Sequence, residues 1–339
     1  MSDRTRPIAV IGAGSWGTAL SLVLADAGWS VRLWARRPAV AAAIRVTRRN
    51  PHYLSDVTLP ETVLATSDLT EAVRGADMVV LALPSDGIPD TCAELARCLT
   101  PEQTIVSTAK GLEHGTGRRL SEVVAERVGV GRSGCIAVLS GPNLAPEVAA
   151  GIATASVAAC TEPAGAAAVQ AAFSTPRFRV YTNSDVVGVE LGGALKNIIA
   201  IGAGVSDGLG FGENSKAALL TRGLAEMTRL GVALGARAET FRGLSGMGDL
   251  VATCAGRKSR NHFVGYELAR GRSLPDILAA MEGQVAEGVE TARAAKRLAQ
   301  QAGVGMPITE AVNALLFEGV PPERTVHGLM TRTWKDELD

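Results

Sequence analysis

Aromatic residues are scarce in this sequence of 339 residues, and neither positive nor negative charge is in excess. Aromatics make up 4% of it, and Lys plus Arg (34) equal Asp plus Glu (34), so the formal net charge is zero. Nucleic-acid-binding proteins usually carry a basic excess, and we therefore expect no nucleic-acid partner. No uninterrupted run of about twenty apolar residues occurs, which a membrane-spanning helix would need, so we expect no integral membrane segment.

Cysteine pairs and metal-ligand spacings are lacking as well. The five cysteines are scattered, without a C-x-x-C pair, at Cys92, Cys98, Cys135, Cys160 and Cys254. This usage favours a reducing compartment over a disulfide framework. The four histidines show no metal-ligand spacing, so we expect no metal.

Arg4 and Arg6 precede an apolar run as in a secretory signal, but three glycines would break the helical core of such a signal. We expect a cytoplasmic protein.

The strongest motif lies near the N-terminus, where residues 8–20 read IAVIGAGSWGTAL. The apolar residues Ile8–Ile11 predict a buried strand, and Gly12, Gly14 and Gly17 follow with G-x-G-x-x-G spacing before a helical pattern. In a dinucleotide-binding fold these glycines permit a tight turn, close approach of a pyrophosphate, and packing of the helix on the sheet. The anion then lies at the positive end of the helix. The motif alone is weak evidence, but its strand and helix context predicts a dinucleotide site.

The next strand pattern, Val31–Trp34, ends in two arginines instead of an acidic residue. An Asp or Glu at this place usually holds the ribose 2′-hydroxyl of NAD. Arg36 and Arg37 would instead attract a 2′-phosphate, which favours NADP(H). The alternative is that both are solvated side chains leading into the helix after Pro38.

Strand and helix patterns then alternate, which predicts a doubly wound parallel sheet with helices on both faces. Further strands are predicted at Met78–Leu83, Thr104–Ser107, Cys135–Leu139, Thr154–Ala159 and Arg177–Tyr181. From Asp185 onward the strand patterns end, and Val186–Val205 and Asn214–Leu234 are helical in period. We therefore expect an α/β protein: an N-terminal Rossmann-type domain over residues 1–183 and an all-helical C-terminal domain over residues 184–339.

Two predicted strand ends carry unusual chemistry at the edge where ligands gather. Thr104–Ser107 leads into Lys110, which is either a ligand-facing cation or an ordinary loop lysine. Cys135–Leu139 leads into the turn Ser140-Gly141-Pro142-Asn143, whose backbone N–H groups can face a ligand.

Lys196 is the most unusual polar residue of the predicted helical domain. Its helical neighbours at three and four residues are Gly192, Gly193, Ile199 and Ala200, so it lies on a small and apolar stripe. Either its ammonium reaches a nearby edge, or it is partly desolvated in a cleft, where a lysine can serve as a general acid or base. The adjacent glycines would let a ligand come close.

Two further polar segments follow in this domain. Asp249 lies in the glycine-bracketed sequence GMGDL, and residues 257–261 read RKSRN. The second segment is either a solvated loop or a phosphate site, because arginine matches phosphate oxygens well.

Together these motifs resemble the bacterial-type NAD(P)-dependent glycerol-3-phosphate dehydrogenases. The resemblance covers nearly the whole chain through seven motifs in order: GAGSWGTAL, KGLE, SGPN-A, ELGGALKN, GMGDL, SRN and VAEGVET. Asn143 is a local departure, since the family often has a hydroxyl residue there. The family reduces dihydroxyacetone phosphate to sn-glycerol 3-phosphate, reversibly, for glycerophospholipid synthesis, and the resemblance suggests a homodimer.

The resemblance also implies roles for individual residues. It implies cofactor contacts at Ser15, Trp16, Arg36, Arg37, Lys110, Ala145, Arg260, Val285 and Glu287. It implies substrate contacts at Lys110, Gly141, Asn143, Ser259, Arg260 and Asn261, the last three on the phosphate. Lys196 would exchange the proton, Asp249 would orient Lys196 or the substrate hydroxyl, and Lys110 would help stabilise the growing negative charge.

Two other functions stay open on the sequence. A related NADP-dependent hydroxyacid dehydrogenase shares the two-domain plan and the helical lysine, but SGPN and Ser259-Arg260-Asn261 count against it. A non-catalytic NADPH-binding sensor is the alternative from another class of protein.

Overall fold

A computed structural model of the protein describes residues 5–129, 135–256, 259–281, 284–334 and 336–337. Its N-terminal part builds one sheet from eight strands. They are β1 (Ile8–Ile11), β2 (Val31–Trp34), β3 (Val63–Thr66), β4 (Met78–Leu81), β5 (Thr104–Ser107), β6 (Ile136–Ser140), β7 (Thr154–Ala159) and β8 (Phe178–Asn183).

The strand order is β3-β2-β1-β4-β5-β6-β7-β8, with β1 to β6 parallel throughout. β7 differs from the predicted parallel arrangement, because it pairs with β6 in the antiparallel sense. The link between them holds a single helix of five residues, Ala145–Ala149, which spans only about 7 Å. A helix this short does not run the length of a strand, as the crossover helix of a parallel pair usually does.

Helices cover both faces of this sheet, as the alternating pattern predicts. They are α1 (Ser15–Asp26), α2 (Pro38–Thr47), α3 (Leu69–Val73), α4 (Ile88–Leu95), α5 (Leu120–Val128), α6 (Ala145–Ala149) and α7 (Pro163–Phe173). The strands are apolar on both sides: Val10 and Leu33 belong to one core cluster, while Ile11 and Val79 belong to another. Burial on both faces explains why these strands are continuous apolar runs.

The C-terminal part is helical in every described element. It comprises α8 (Val186–Gly208), α9 (Glu213–Ala233), α10 (Ala238–Phe241), α11 (Asp249–Ala255), α12 (Arg260–Ala269), α13 (Leu274–Ala280), α14 (Glu287–Ala302), α15 (Pro307–Phe317) and α16 (Pro322–Met330). A π-helical turn, Leu244–Gly248, leads into α11. The division into domains after residue 183 stays a prediction.

Helix α8 is the centre of this helical part, packing against α9, α11, α12 and α14. Among the described residues it is the one helix long and apolar enough to cross a membrane, but 89% of its most apolar window is buried in the protein. Such burial is typical of the core helix of a globular domain.

Helices α8 and α12 touch backbone to backbone at two glycines. A Cβ atom on Gly204 would lie 2.0 Å from the carbonyl oxygen of His262, and one on Gly265 would lie 1.9 Å from that of Ile201. Any larger side chain would force the two helices apart, so the glycines fix their separation.

Candidate active site

The glycine-rich turn between β1 and α1 is shaped by two of its three glycines. Gly12 has φ +119°, and a Cβ there would lie 2.4 Å from the carbonyl oxygen of Ala82. A Cβ on Gly17 would lie 1.8 Å from the carbonyl oxygen of Gly12. The turn therefore closes tightly on itself and against the end of β4.

Gly14 differs from these two, because a Cβ there would meet no atom within 4 Å. The open space lies at the N-cap of α1, where Ser15 and Trp16 begin the helix and their backbone N–H groups have no partner within it. The indole Nε1 of Trp16 is buried and has no hydrogen-bond partner in the described part of the protein. A phosphate-bearing cofactor fits this arrangement, because it supplies an anion for a helix N-terminus.

Arg36 and Arg37 follow β2 at the same edge of the sheet. The N–H group of Gly12 donates to the carbonyl oxygen of Trp34, at 3.1 Å, so the end of β2 lies directly beside the glycine-rich turn. Both arginines are exposed. They are therefore accessible to a cofactor bound at this turn.

Three ionisable side chains from both parts of the chain meet at the carboxyl edge of the sheet. Oδ1 of Asp249 lies 2.9 Å from Nζ of Lys196, and its Oδ2 lies 2.8 Å from Nζ of Lys110. Asp249 and Lys196 are buried, with 2% and 6% of their side chains exposed. One buried carboxylate therefore holds two ammonium groups side by side, that of Lys196 buried and that of Lys110 partly exposed.

The lysine from the sheet edge has an unusual pKa. Desolvation of its ammonium is the main reason that the pKa of Lys110 falls from 10.5 to about 8, and the neighbouring charge of Lys196 lowers it further. The Asp249 carboxylate acts in the opposite direction and raises it. Lys110 can therefore lose or regain a proton near neutral pH.

Lys110 also links this centre to the turn after β6. Its Nζ donates to the carbonyl oxygen of Gly141 at 2.9 Å and to Oδ1 of Asn143 at 2.6 Å. The amide of Asn143 in turn donates to Oγ of Ser156 on β7, at 3.0 Å. Ala145 begins α6, which packs against α1. The turn therefore joins Lys110 to the cofactor side of the cleft.

Lys196 has fewer protein partners than Lys110. Its Nζ donates to Oγ1 of Thr253 at 2.6 Å and pairs with Asp249. An ammonium carries three N–H groups, so these two contacts in the described part of the chain leave one for a further acceptor. Lys110 by contrast has three acceptors around it: Gly141, Asn143 and Asp249.

The space beside the glycines near Lys196 is occupied by other segments of the protein. The sequence had suggested room for a ligand there. A Cβ on Gly192 would lie 2.8 Å from the carbonyl oxygen of Ser245, in the π-helical turn that precedes Asp249. A Cβ on Gly193 would lie 2.8 Å from Oγ of Ser140 and 3.6 Å from Cγ of Lys110. These glycines thus admit the chain segments that carry the partners of Lys196.

The predicted phosphate residues lie at the first turn of α12. Ser259 caps this helix, its Oγ accepting from the N–H of His262. Arg260 is the first residue of α12 and is exposed. Desolvation of its guanidinium lowers its pKa, and the nearby Glu287 opposes that shift. Arg257 and Lys258 lie outside the described residues.

The side-chain amide of Asn261 is already used inside the protein. Its Nδ2 donates to Oδ1 of Asn197 at 2.8 Å, and its Oδ1 accepts from the N–H of Gly288 at 2.9 Å. Asn197 donates in turn to the carbonyl oxygen of Lys110, at 2.9 Å. A substrate phosphate would therefore meet Asn261 through its backbone, or would have to displace one of these bonds.

The segment from Val285 to Glu287 connects the helical part to the sheet edge. Oε1 of Glu287 accepts from the N–H of Ser85, at 3.0 Å, just after β4. Burial raises the pKa of Glu287, and this hydrogen bond opposes the rise. Val285, two residues earlier, is partly buried.

Three residues of this site were missed by sequence reasoning. Thr253 contacts Lys196, Asn197 links Lys110 to α12, and Tyr53 lies close enough to Arg260 to affect the pKa of that guanidinium. Thr253 carried one usable signal, since it lies one helical turn after Asp249 and therefore on the same face.

Two family descriptions match the chain. Residues 7–166 match the N-terminal region of NAD-dependent glycerol-3-phosphate dehydrogenase, and residues 185–327 match its C-terminal region.

Curated relatives and a solved structure are similar over almost the entire length. Glycerol-3-phosphate dehydrogenase [NAD(P)+] of Streptomyces avermitilis is 51% identical over 97% of both chains. The protein of the same name from Geobacter sulfurreducens is 51% identical over 99% of both chains. The crystal structure of glycerol-3-phosphate dehydrogenase from Coxiella burnetii has a TM-score of 0.92 at 39% identity, covering 97% of this chain and 100% of that one.

Proposed function

Since the chain belongs to the NAD-dependent glycerol-3-phosphate dehydrogenase family, we propose that it reduces dihydroxyacetone phosphate reversibly to sn-glycerol 3-phosphate. It is an NAD(P)-dependent oxidoreductase. The observation that carries the residue assignments is the buried Asp249 carboxylate, which holds Lys110 and Lys196 together at the edge where a dinucleotide site and an arginine-bearing helix meet.

Charge stabilisation is the task of the two lysines. The nicotinamide cofactor supplies the hydride when it is bound. Negative charge then grows on the substrate carbonyl oxygen, and ammonium groups placed in a dry cleft stabilise it far better than water does. Lys196, which is buried, and Lys110, with 19% of its side chain exposed, are two cations placed at this point.

Proton transfer is assigned to Lys196. Two N–H groups of its ammonium are bound by Asp249 and Thr253, which leaves one N–H group for the substrate. The two bound partners fix the direction in which this third group points. Lys196 gives its proton to the alkoxide during reduction and accepts one from the alcohol during oxidation. Asp249 orients Lys196 and balances its charge.

The substrate phosphate is held at the start of α12. Arg260 provides a guanidinium fork, which matches phosphate oxygens in geometry and charge, and Ser259 and Asn261 flank it. Gly141 and Asn143 line the substrate on the sheet side through their contacts with Lys110. Because the phosphate is remote from the reacting carbon, its binding energy can orient the carbonyl.

Twelve residues form the proposed cofactor site. They are Gly12, Gly14, Ser15, Trp16, Gly17, Arg36, Arg37, Lys110, Ala145, Arg260, Val285 and Glu287. Exposed arginines at the end of β2 favour a cofactor with a 2′-phosphate, so NADP(H) is the preferred cofactor and NAD(H) the weaker one.

Membership of the family suggests the domain roles, the location, the oligomeric state and the metabolic role of the protein. We assign residues 1–183 to the cofactor domain and residues 184–339 to the catalytic domain of a cytoplasmic homodimer whose product feeds glycerophospholipid synthesis.

A spectrophotometric assay tests this function. NADPH and dihydroxyacetone phosphate are added to the purified protein, and the loss of the reduced-nicotinamide absorbance is followed. A 2-keto acid in place of the phosphate ester is the control substrate. Turnover with the keto acid alone would instead support a hydroxyacid dehydrogenase, and cofactor binding without turnover would support a sensor.

A further inference from the structure

The segment that follows α2 has an unusual backbone. Arg48 and Leu54 are the two non-glycine residues in the described chain with positive φ, at 58° and 54°. Leucine rarely adopts this left-handed conformation, so neighbouring contacts must hold the segment in place. The residues between them, 49–53, carry a polar side chain that is not part of the proposed active site.

That side chain is Asn50, which is 0% exposed. Its Nδ2 donates to the carbonyl oxygen of Ala13 at 2.9 Å and to Oγ1 of Thr18 at 3.0 Å. Its Oδ1 accepts from the N–H groups of His52 at 3.1 Å and Tyr53 at 3.2 Å. A carboxamide has two donors and two acceptor lone pairs, so every hydrogen-bonding position of Asn50 is used.

The donor side of Asn50 spans the glycine-rich turn. Ala13 lies between the first two glycines of the motif, and Thr18 lies just after the third, in the first turn of α1. One buried amide therefore ties the loop before the helix to the helix itself. These are the parts whose backbone would have to face the cofactor pyrophosphate.

The acceptor side of Asn50 leads toward the substrate. By fixing the N–H groups of His52 and Tyr53 it sets the course of the chain up to Leu54, whose side chain packs on the sheet core. Tyr53 lies near enough to raise the pKa of Arg260, the proposed phosphate-binding residue. Asn50 thus joins the glycine-rich turn on one side to the segment of His52 and Tyr53 on the other.

We propose that Asn50 is a positioning residue that holds the glycine-rich turn in its cofactor-binding shape through the two N–H groups of its side chain. This inference rests on the proposed cofactor site. Asn50 acts through Ala13 and Thr18 and has no contact with substrate or reacting atoms.

Direct titration of the free enzyme with NADPH, followed by the fluorescence of the reduced nicotinamide, tests the proposal. Asn50→Ala removes all four hydrogen bonds, and we expect the Kd for NADPH to rise about tenfold, as the loss of two ordinary hydrogen bonds would give. Asn50→Asp keeps the acceptor side and loses both donors, so its Kd should rise at least as much. At saturating NADPH, kcat should stay within about threefold of wild type, because general acid catalysis is untouched.

A matched control separates positioning from loss of stability. Gln103, just before β5, is another buried amide, 4% exposed. It donates to the carbonyl oxygens of Val73 at 2.9 Å and Ala76 at 2.8 Å, neither of which belongs to the glycine-rich turn. Gln103→Ala should lower Tm as Asn50→Ala does and leave the Kd unchanged. If Asn50→Ala does not fold, Thr18→Val removes one acceptor, and a Kd raised by about two- to fivefold supports the proposal.

Two results would overturn the inference. One is a Kd within twofold of wild type for Asn50→Asp, and the other is an equal rise for Gln103→Ala. Failure of the wild-type protein to bind NADPH would instead contradict the proposed cofactor, which keeps the two failures apart.

Discussion

Lys196 and Asp249 form a buried ion pair, with 2.9 Å between Nζ and Oδ1. The same carboxylate holds Lys110 through its other oxygen, at 2.8 Å. Two ammonium groups repel each other in a cleft away from water, and the shared carboxylate offsets much of that repulsion. Asp249 therefore holds both lysines in place and raises the pKa of Lys110. In the proposed mechanism the rate depends on each of these three residues.

Replacing Lys196 with Met should nearly abolish turnover. Loss of a general acid typically costs about a hundred- to ten-thousand-fold in rate, while the glycine-rich turn is unchanged. The Kd for NADPH should stay within a few-fold. Steady-state rates and cofactor titration measure both quantities, with Lys296→Met, which breaks only a surface ion pair with Glu318, as the control. Turnover within tenfold of wild type would remove Lys196 from its assigned role.

The pH dependence of reduction should report Lys110. Its ammonium is present below a pKa of about 8 and is lost above it, so kcat/KM for dihydroxyacetone phosphate should fall as pH rises through that value. Asp249 raises this pKa, and Asp249→Asn should therefore move the falling limb to lower pH as well as reduce the rate. A pH profile of kcat/KM measures the shift. A limb that stays in place or moves upward would contradict the assignment.

Replacing Arg260 with Ala should weaken substrate recognition. A charged hydrogen bond contributes about 1.5–3 kcal/mol, so kcat/KM for dihydroxyacetone phosphate should fall by about ten- to a hundredfold or more. Unphosphorylated dihydroxyacetone should be a poor substrate for both proteins, with little difference between them.

Arg270, at the other end of α12, is the matched control for that experiment. It is exposed and lies over the ring of Tyr266, so Arg270→Ala should leave kcat/KM unchanged. An Arg260→Ala protein as active as wild type would place the phosphate elsewhere.

Cofactor preference should depend on Arg36. We expect NADPH to exceed NADH by about ten- to a hundredfold in kcat/KM, since the ion pairs with a 2′-phosphate are exposed and screened. Arg36→Asp should remove or invert the preference, by adding a repulsion where an attraction was lost. Arg45→Asp, a similar charge change on an exposed face of α2, should not. High salt should reduce the preference of the unmutated enzyme. The measurement is kcat/KM for NADPH and for NADH in the unmutated enzyme and in both variants.

Much of the sheet was predictable from apolar patterns, because strands buried on both faces form continuous apolar runs. Ile8–Ile11 and Val31–Trp34 match their predicted bounds. Val63–Thr66 was missed; it lies on the edge of the sheet, and Leu64 within it is 60% exposed. The reversal of Thr154–Ala159 could not be predicted, because an apolar run is the same in either direction.

The sequence predicted a set of site residues, which stays a prediction, but it did not predict how those residues are arranged. Helical periodicity identifies the neighbours of Lys196 on its own helix, and it therefore suggested open space beside Gly192. It carries no information on the segments from elsewhere in the chain, and the backbone of Ser245 occupies that space. The contacts of Asn50 with Ala13 and Thr18 could not be predicted for the same reason, since these residues are 37 and 32 positions away in sequence.

The glycine contacts between α8 and α12 bear on which substrate length the proposed site accepts. Lys196 lies on one of these helices and Arg260 begins the other, and Gly204 and Gly265 allow no slack between them. The distance between the proposed proton donor and the proposed phosphate-binding residue is thus set partly by the backbone contact of the two helices. A ketose phosphate one carbon longer would place its carbonyl more than about 1 Å from the productive position, a misplacement that can cost a hundredfold in rate. Under the proposed roles of Lys196 and Arg260, we therefore expect Gly204 and Gly265 to contribute to the preference for a three-carbon substrate.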